Sequence, residues 1–160
     1  MEVKETMNSA AFTEASAMLN VLCLETTNTN VDSSIKNYIQ HAPKVYNTAS
    51  CRDTIRVMFS YPESPCIVVC DKRDVPVGLV MSDKFYLTMC SRSGMDHYYN
   101  APITKLMNRT PITLDIHDSL HQITSSVNQR PIGMRNDSII ITSCGQYVGI
   151  IRPSDIQHLL

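Results

Sequence analysis

The stretch Tyr147–Leu160, YVGIIRPSDIQHLL, has a counterpart at Val75–Thr88, VPVGLVMSDKFYLT. Gly78 answers Gly149, an apolar pair follows each, and a polar turn then leads into an apolar, helix-like run. The two turns differ at two places, Arg152 against Met81 and Asp155 against Lys84. Repetition of this kind points to a duplicated supersecondary unit.

Other parts recur in the same order around these stretches. A short extended piece comes first, APKV in copy one and TPITL in copy two, where Pro43 and Pro111 disfavour helix just before them. An amphipathic helix follows. In copy one Ser50 can cap it, with Asp53 three residues on, and Cys51, Ile55, Met58 and Phe59 form the stripe. In copy two Asp118 or Asp115 can cap it, with Leu120, Ile123 and Val127 as the stripe. Two strands come next, CIVVCD and VGLVM in copy one, SIIITS and YVGIIR in copy two. Alignment on the glycines matches Val68 with Ile139, Val69 with Ile140 and Cys70 with Ile141. Their unbroken apolar character suits strands covered on both faces. Ser82 opens the last helix of copy one, and Pro153 sits where a first helical residue tolerates proline. Phe85 and Ile156 take matching core positions.

Each copy therefore reads strand, helix, strand, strand, helix. A unit this small is marginal alone, because it buries too little of its surface. Two copies sharing a core would form a pseudo-twofold α/β (α+β) pair. The expected organisation is an N-terminal helix and linker over 1–33, a first repeat over 34–90, a connector over 91–104 and a second repeat over 105–160.

Composition excludes several classes. Net charge is −1 and the basic residues are scattered, so no stripe exists to track a nucleic-acid backbone. No run approaches the ~18 apolar residues of a membrane span. The N-terminus lacks an apolar signal region, which places the chain in the cytoplasm. The six cysteines form no CxxC and meet no histidine pair at metal-ligand spacing. Cys66 and Cys70 share a strand face roughly 13 Å apart, too far for one ion. Six reduced thiols acting as small hydrophobes are expected. His117 and His121 could share a helix face, but no third ligand is evident. No GxSxG, P-loop or Cys-His motif occurs, so the chain does not read as an enzyme.

The residues ITKLMNRTPITLDIHDSL and GIIRPSD in copy two, with APKVYNTASCRDTI and GLVMSDK in copy one, resemble a tandem pair of CBS (cystathionine-beta-synthase) domains, a Bateman module. The likeness covers roughly residues 35–160. The connector KFYLTMCSRSGMDHYYNAPITKLM resembles that of CBS pairs in bacterial cyclic-di-GMP signalling proteins, although no cyclase or phosphodiesterase signature is present. The resemblance implies clefts between the copies that bind AMP, ADP, ATP or related adenosine compounds, with no cofactor required. It also implies a homodimer and a signalling partner protein.

The family's turn is Gly, two apolar residues, Thr or Ser, two variable residues, then Asp. Free N–H groups at the opening of the helix face a phosphate, and the carboxylate accepts from the ribose hydroxyls. Copy two keeps Gly149 and Asp155, carries Arg152 at the hydroxyl position and offers Ser154 two residues on. Copy one keeps Gly78 and Ser82 but has Met81 and Lys84, and a lysine cannot accept from a diol. Lys84 is then either solvated beside a degenerate cleft or in contact with a phosphate of a ligand spanning both clefts. Thr110, Pro111 and Ile112, with Met107 nearby, are the expected wall for an adenine; Met107 reads equally as a core residue. Arg92, His97, Tyr98 and Tyr99 in the connector either pack it down or offer a ligand or partner surface. Two readings follow: a nucleotide-sensing module centred on Asp155, or a ligand-free pair serving as a dimerisation or interaction scaffold.

Overall fold

The computed structural model describes residues 35–158. The helix and linker expected in 1–33 lie outside the described residues, as do Leu159 and Leu160. Strand β1 (Lys44–Tyr46), helix α1 (Cys51–Ser60), strands β2 (Cys66–Cys70) and β3 (Pro76–Met81) and helix α2 (Ser82–Met89) make the first repeat. Helix α3 (Gly94–Tyr98) and a short 3-10 turn (Ile103–Lys105) connect to the second. There β4 (Thr113–Asp115), α4 (Leu120–Asn128), β5 (Ile139–Ser143), β6 (Gln146–Ile151) and α5 (Pro153–Ile156) recur in the same order. The sheets run β1-β2-β3 and β4-β5-β6, the first pair parallel and the second antiparallel in each. No described helix is long and apolar enough to cross a membrane.

The alternation of strand side chains divides the core into three parts. Ile67 and Val69 pack towards the helices of the first repeat, and Ile139 and Ile141 towards those of the second. Cys66, Val68, Cys70 and Leu79 meet Ile140 and Ile150 in a core shared by both sheets. Each aliphatic side chain buried there contributes on the order of 1.5–3 kcal/mol. This pattern corrects the strand alignment. Val69 pairs with Gly78 and Ile141 with Gly149. Val68 therefore corresponds to Ile140, not Ile139. The cause is the hairpin: five residues separate the paired Cys70 and Pro76, but four separate Thr142 and Tyr147. A one-residue slip reverses which face every side chain takes.

The helix expectations need three further corrections. In α4 the cap is Ser119, not Asp118 or Asp115, and Gln122 completes a capping box. Asp118 and Asp115 instead accept backbone N–H groups within the preceding turn. Leu120 is exposed, while Ile123 and Val127 are buried. In α1 Ser50 and Asp53 do form the capping box, but Phe59 is 72% exposed. Thr54 is buried in its place, its hydroxyl donating to the Ser50 carbonyl. Phe85 and Ile156 are both buried as expected.

Cys51, Cys66 and Cys70 are buried free thiols and Cys90 is an exposed one. Cys144 departs from the expectation and is disulfide-bonded. It is an exposed turn residue at φ 51°, followed by Gly145 at φ 81° in a two-residue hairpin loop that needs two positive φ values. It has no core role to keep it among the small hydrophobes.

Candidate functional site: two crossed clefts

The segment before each repeat crosses to the other repeat. Gln40 exchanges backbone hydrogen bonds with Ile150, and Asn108 does the same with Leu79. The glycines permit this approach. A Cβ at Gly149 would lie 2.5 Å from Ile39 Cγ2 and 2.8 Å from the Gln40 carbonyl oxygen. One at Gly78 would strike the Met107 thioether and approach the Asn108 carbonyl oxygen to 3.1 Å. Tyr147 reinforces the crossing, donating its hydroxyl to the Ala42 carbonyl at 2.8 Å. Burial pushes that phenol's pKa up, and the Ala42 hydrogen bond and the nearby thiols act less strongly.

Crossing builds two equivalent clefts, each from one repeat's leader and helix–strand loop and the other repeat's turn. The first, about 330 Å³, is lined by Gln40, His41, Pro43, residues 60–65 and Arg152. Just behind Gln40 stands Asp155, whose Oδ2 accepts from Gln40 Nε2 at 3.0 Å. His41 and Tyr61 place their rings 6.4 Å apart on the cleft wall. The Nε of Arg152 is buried and has no hydrogen-bond partner. The Cys66 thiol lies close by, pushed up to about 11 chiefly by burial, with the nearby Arg152 charge opposing.

The second cleft, about 420 Å³, is lined mainly by Met81, Lys84, Phe85, Met107, Asn108, Met134 and Asp137. Lys84 Nζ donates to Asp137 Oδ1 at 2.6 Å and to the Gly133 carbonyl at 3.3 Å. Asn108 Nδ2 donates to Asp137 Oδ2 at 3.4 Å. The charge that copy one lacks in its own turn, a carboxylate, is thus supplied by the other repeat and is already paired. Lys84 is not left to solvent alone.

The site residues named from sequence therefore separate. Arg152 lines the first cleft, with Asp155 behind it. Met107 and Lys84 line the second, so Met107 is not beside Asp155. Thr110 turns back on Asn108 through its N–H at 3.0 Å and its hydroxyl at 3.3 Å. Ile112 packs on the core of the second repeat, and neither it, Thr110 nor Pro111 lines either cleft. The corresponding copy-one residue, Pro43, is the one that lines the Asp155-side cleft, because the leaders cross. Ser82 is tied to the loop of its own repeat, donating its hydroxyl to the Ser64 carbonyl at 3.1 Å. Ser154 is exposed and lines a separate outer hollow with Arg130 and Arg135, although its hydroxyl reaches Asp155 Oδ1 at 3.4 Å. Gly149 is covered by Ile39 and Gln40 and serves the crossing. In the connector, Tyr98 and Tyr99 pack on the core of the first repeat, and the Tyr99 and Ala101 carbonyls accept the first N–H groups of α1.

Sequence reasoning missed Gln40, Asn108 and Asp137. The first two carried a signal: an amide side chain stands three residues before the proline of each leader, Gln40 before Pro43 and Asn108 before Pro111. Asp137 carried none. Among the described residues, no group of three or more His, Cys, Asp or Glu could hold a metal ion.

No protein-family model matches the chain, and no curated protein matches it. Many solved structures do. A CBS-domain containing protein from Agrobacterium tumefaciens is 14% identical with a TM-score of 0.58, over 85% of this chain and 96% of that one. An uncharacterized conserved protein from Pyrococcus horikoshii is 21% identical with a TM-score of 0.56, over 81% of this chain and 93% of that one. The CBS domain pair of protein MJ0100, solved in complex with 5'-methylthioadenosine and S-adenosyl-L-methionine, is 14% identical with a TM-score of 0.57, over 78% of this chain and 93% of that one.

Proposed function

Because the chain has the fold of a tandem CBS-domain pair, we propose that it is a regulatory module that binds an adenosine nucleotide such as AMP, ADP or ATP in the cleft beside Asp155 and signals to a partner protein. One observation carries the reading. The crossed leader brings Gln40 to a cavity that Arg152 also lines, with Asp155 directly behind Gln40 and hydrogen-bonded to it. A ribose diol can replace Gln40 as donor to the Asp155 carboxylate. The adenine lies against Pro43, His41 and Tyr61, a largely flat, partly apolar wall. The adenosine ligands of the MJ0100 domain pair support this ligand class. Signalling requires that the ligand bind two states of the module unequally, and we place the partner contact in a homodimer of such pairs.

A second reading has its own support. Asp155 is already satisfied by Gln40, and Lys84 by Asp137. Both clefts would then be internally closed, and the module would be a dimerisation or interaction scaffold.

Thermal shift and calorimetric titration of the purified chain with AMP, ADP and ATP separate the two. A nucleotide at 100 times its Kd adds about 2.7 kcal/mol of stability. Asp155→Ala is expected to abolish that shift. No shift with any nucleotide favours the scaffold, and a shift that survives Asp155→Ala moves the site elsewhere.

A further inference from the structure

We propose that the outer hollow of the second repeat is a separate binding site for a small multivalent oxyanion, gripped by Arg130 and Arg135. It shares no lining residue with either cleft, so it stands or falls apart from the nucleotide reading.

The hollow, about 660 Å³, opens between the end of α4, the loop that follows it and the start of α5. Its polar lining is Arg130, Arg135, Ser154 and the amides of Asn128, Asn136 and Gln157, over the buried Val127 and Ile156. Among the described residues no aspartate or glutamate lines it. The loop is peculiar to this repeat. Residues 129–138 join α4 to β5, whereas the shorter stretch 61–65, YPESP, joins α1 to β2 and carries a glutamate and no cation.

Arg130 is half-buried and pinned in place. Its Nε donates to the Val127 carbonyl at 3.1 Å, and its Nη1 to the Arg135 and Asp137 carbonyls at 3.1 and 3.5 Å. Backbone carbonyls orient a guanidinium without cancelling its charge. Its Nη2 donates to no described residue. Arg135 is exposed, and its side chain makes no hydrogen bond or ion pair with any described residue. Burial lowers the Arg130 pKa most; the Asp137 charge opposes this, and the Arg135 charge adds to it. The two guanidinium groups therefore repel each other across the hollow.

The neighbouring carboxylates are engaged elsewhere. Asp137 accepts from Lys84 and Asn108 in the second cleft. Asp155 accepts from Gln40 and from Ser154. A rigid fork of donors matches two oxygens of one anion. An oxyanion between Arg130 and Arg135 would relieve their repulsion, and the three amides and the Ser154 hydroxyl can donate to its remaining oxygens.

The test is calorimetric titration of the full chain with pyrophosphate and with citrate, against chloride at matched ionic strength, because exposed charges are screened by salt. Saturable binding of one or both oxyanions is expected, and which one binds tells whether the site takes phosphate or carboxylate groups. Arg135→Gln should weaken that binding by about tenfold or more and leave the unfolding midpoint without ligand unchanged, since its side chain holds nothing in the fold. Arg152→Met, in the first cleft, should leave oxyanion binding intact, as should the paired change Lys72→Gln with Arg73→Gln on a distant turn. No binding beyond that of chloride overturns the proposal. So does binding that survives Arg135→Gln, or binding that Arg152→Met removes, which would move the anion to the first cleft. Equal weakening by the Lys72 and Arg73 changes would also overturn it, as a mark of general charge attraction.

Discussion

Gly78 and Gly149 look interchangeable in the sequence, and the crossing needs both. Their surroundings are nonetheless unequal. At Gly149 an added Cβ meets the Gln40 carbonyl oxygen at 2.8 Å, a backbone atom that cannot move without breaking the pair with Ile150. At Gly78 the nearest obstacle is the Met107 thioether, which has rotamers to spare. Gly149→Ala should therefore destabilise by about 1–3 kcal/mol, the usual range for overpacking, and Gly78→Ala by less. Urea midpoints measure the difference, and equal losses would contradict the crossing as described. The functional residues are harder to read at this level. Arg152 and Asp155 were legible because they break or keep a pattern the chain writes twice. Gln40 and Asp137 were not, because nothing in the local sequence states which distant side chain each will meet.

The elements were the most legible part of the chain. Apolar alternation, prolines at the leaders and the paired turns gave the order strand, helix, strand, strand, helix in both repeats. What was lost was register and the choice among nearby caps. Around α4, three candidate capping residues stand within five positions, Asp115, Asp118 and Ser119. The structure uses Ser119 with Gln122 because Asp118 and Asp115 are already spent on the preceding turn, Asp118 Oδ2 accepting from the Asp115 N–H at 2.8 Å. Ser119→Ala is thus expected to cost about 1 kcal/mol, as lost N-caps do. Ser119→Asp should restore most of it. A denaturation series that finds no loss for Ser119→Ala would move the cap back to the aspartates. The β2 alignment failed for a related reason. A hairpin shortened by one residue leaves the glycines matched and the preceding strands slipped, and composition alone cannot date the deletion to the turn.

Between the repeats, the Lys84–Asp137 pair joins α2 of one to the loop before β5 of the other. Lys84 is about half exposed, but the Asp137 side chain is only 9% exposed. Removing the lysine strands a nearly buried carboxylate whose remaining donor, Asn108, is 3.4 Å away. Lys84→Ala is expected to destabilise by about 1–3 kcal/mol, whereas Lys84→Ala with Asp137→Ala should recover part of that loss. A double-mutant cycle in urea measures the coupling, which should exceed about 0.5 kcal/mol. A coupling near zero would mean that the pair is only a surface contact.

Duplication, the strand–helix order, the conserved architecture of the two turns and the asymmetry at Arg152/Met81 and Asp155/Lys84 all follow from local pattern, because periodicity and turn chemistry act over a few residues. Which leader lies on which sheet is a different matter. In the folded protein Gln40 stands on Ile150, more than a hundred positions away, and Met107 faces Lys84 rather than Asp155. That exchange arises because each glycine leaves room on the edge of the opposite sheet and the shared core of Cys66, Val68, Leu79, Ile140 and Ile150 holds the two sheets face to face. Only this long-range packing decides that Lys84 meets Asp137 in one cleft while the buried Nε of Arg152 beside the other has no hydrogen-bond partner.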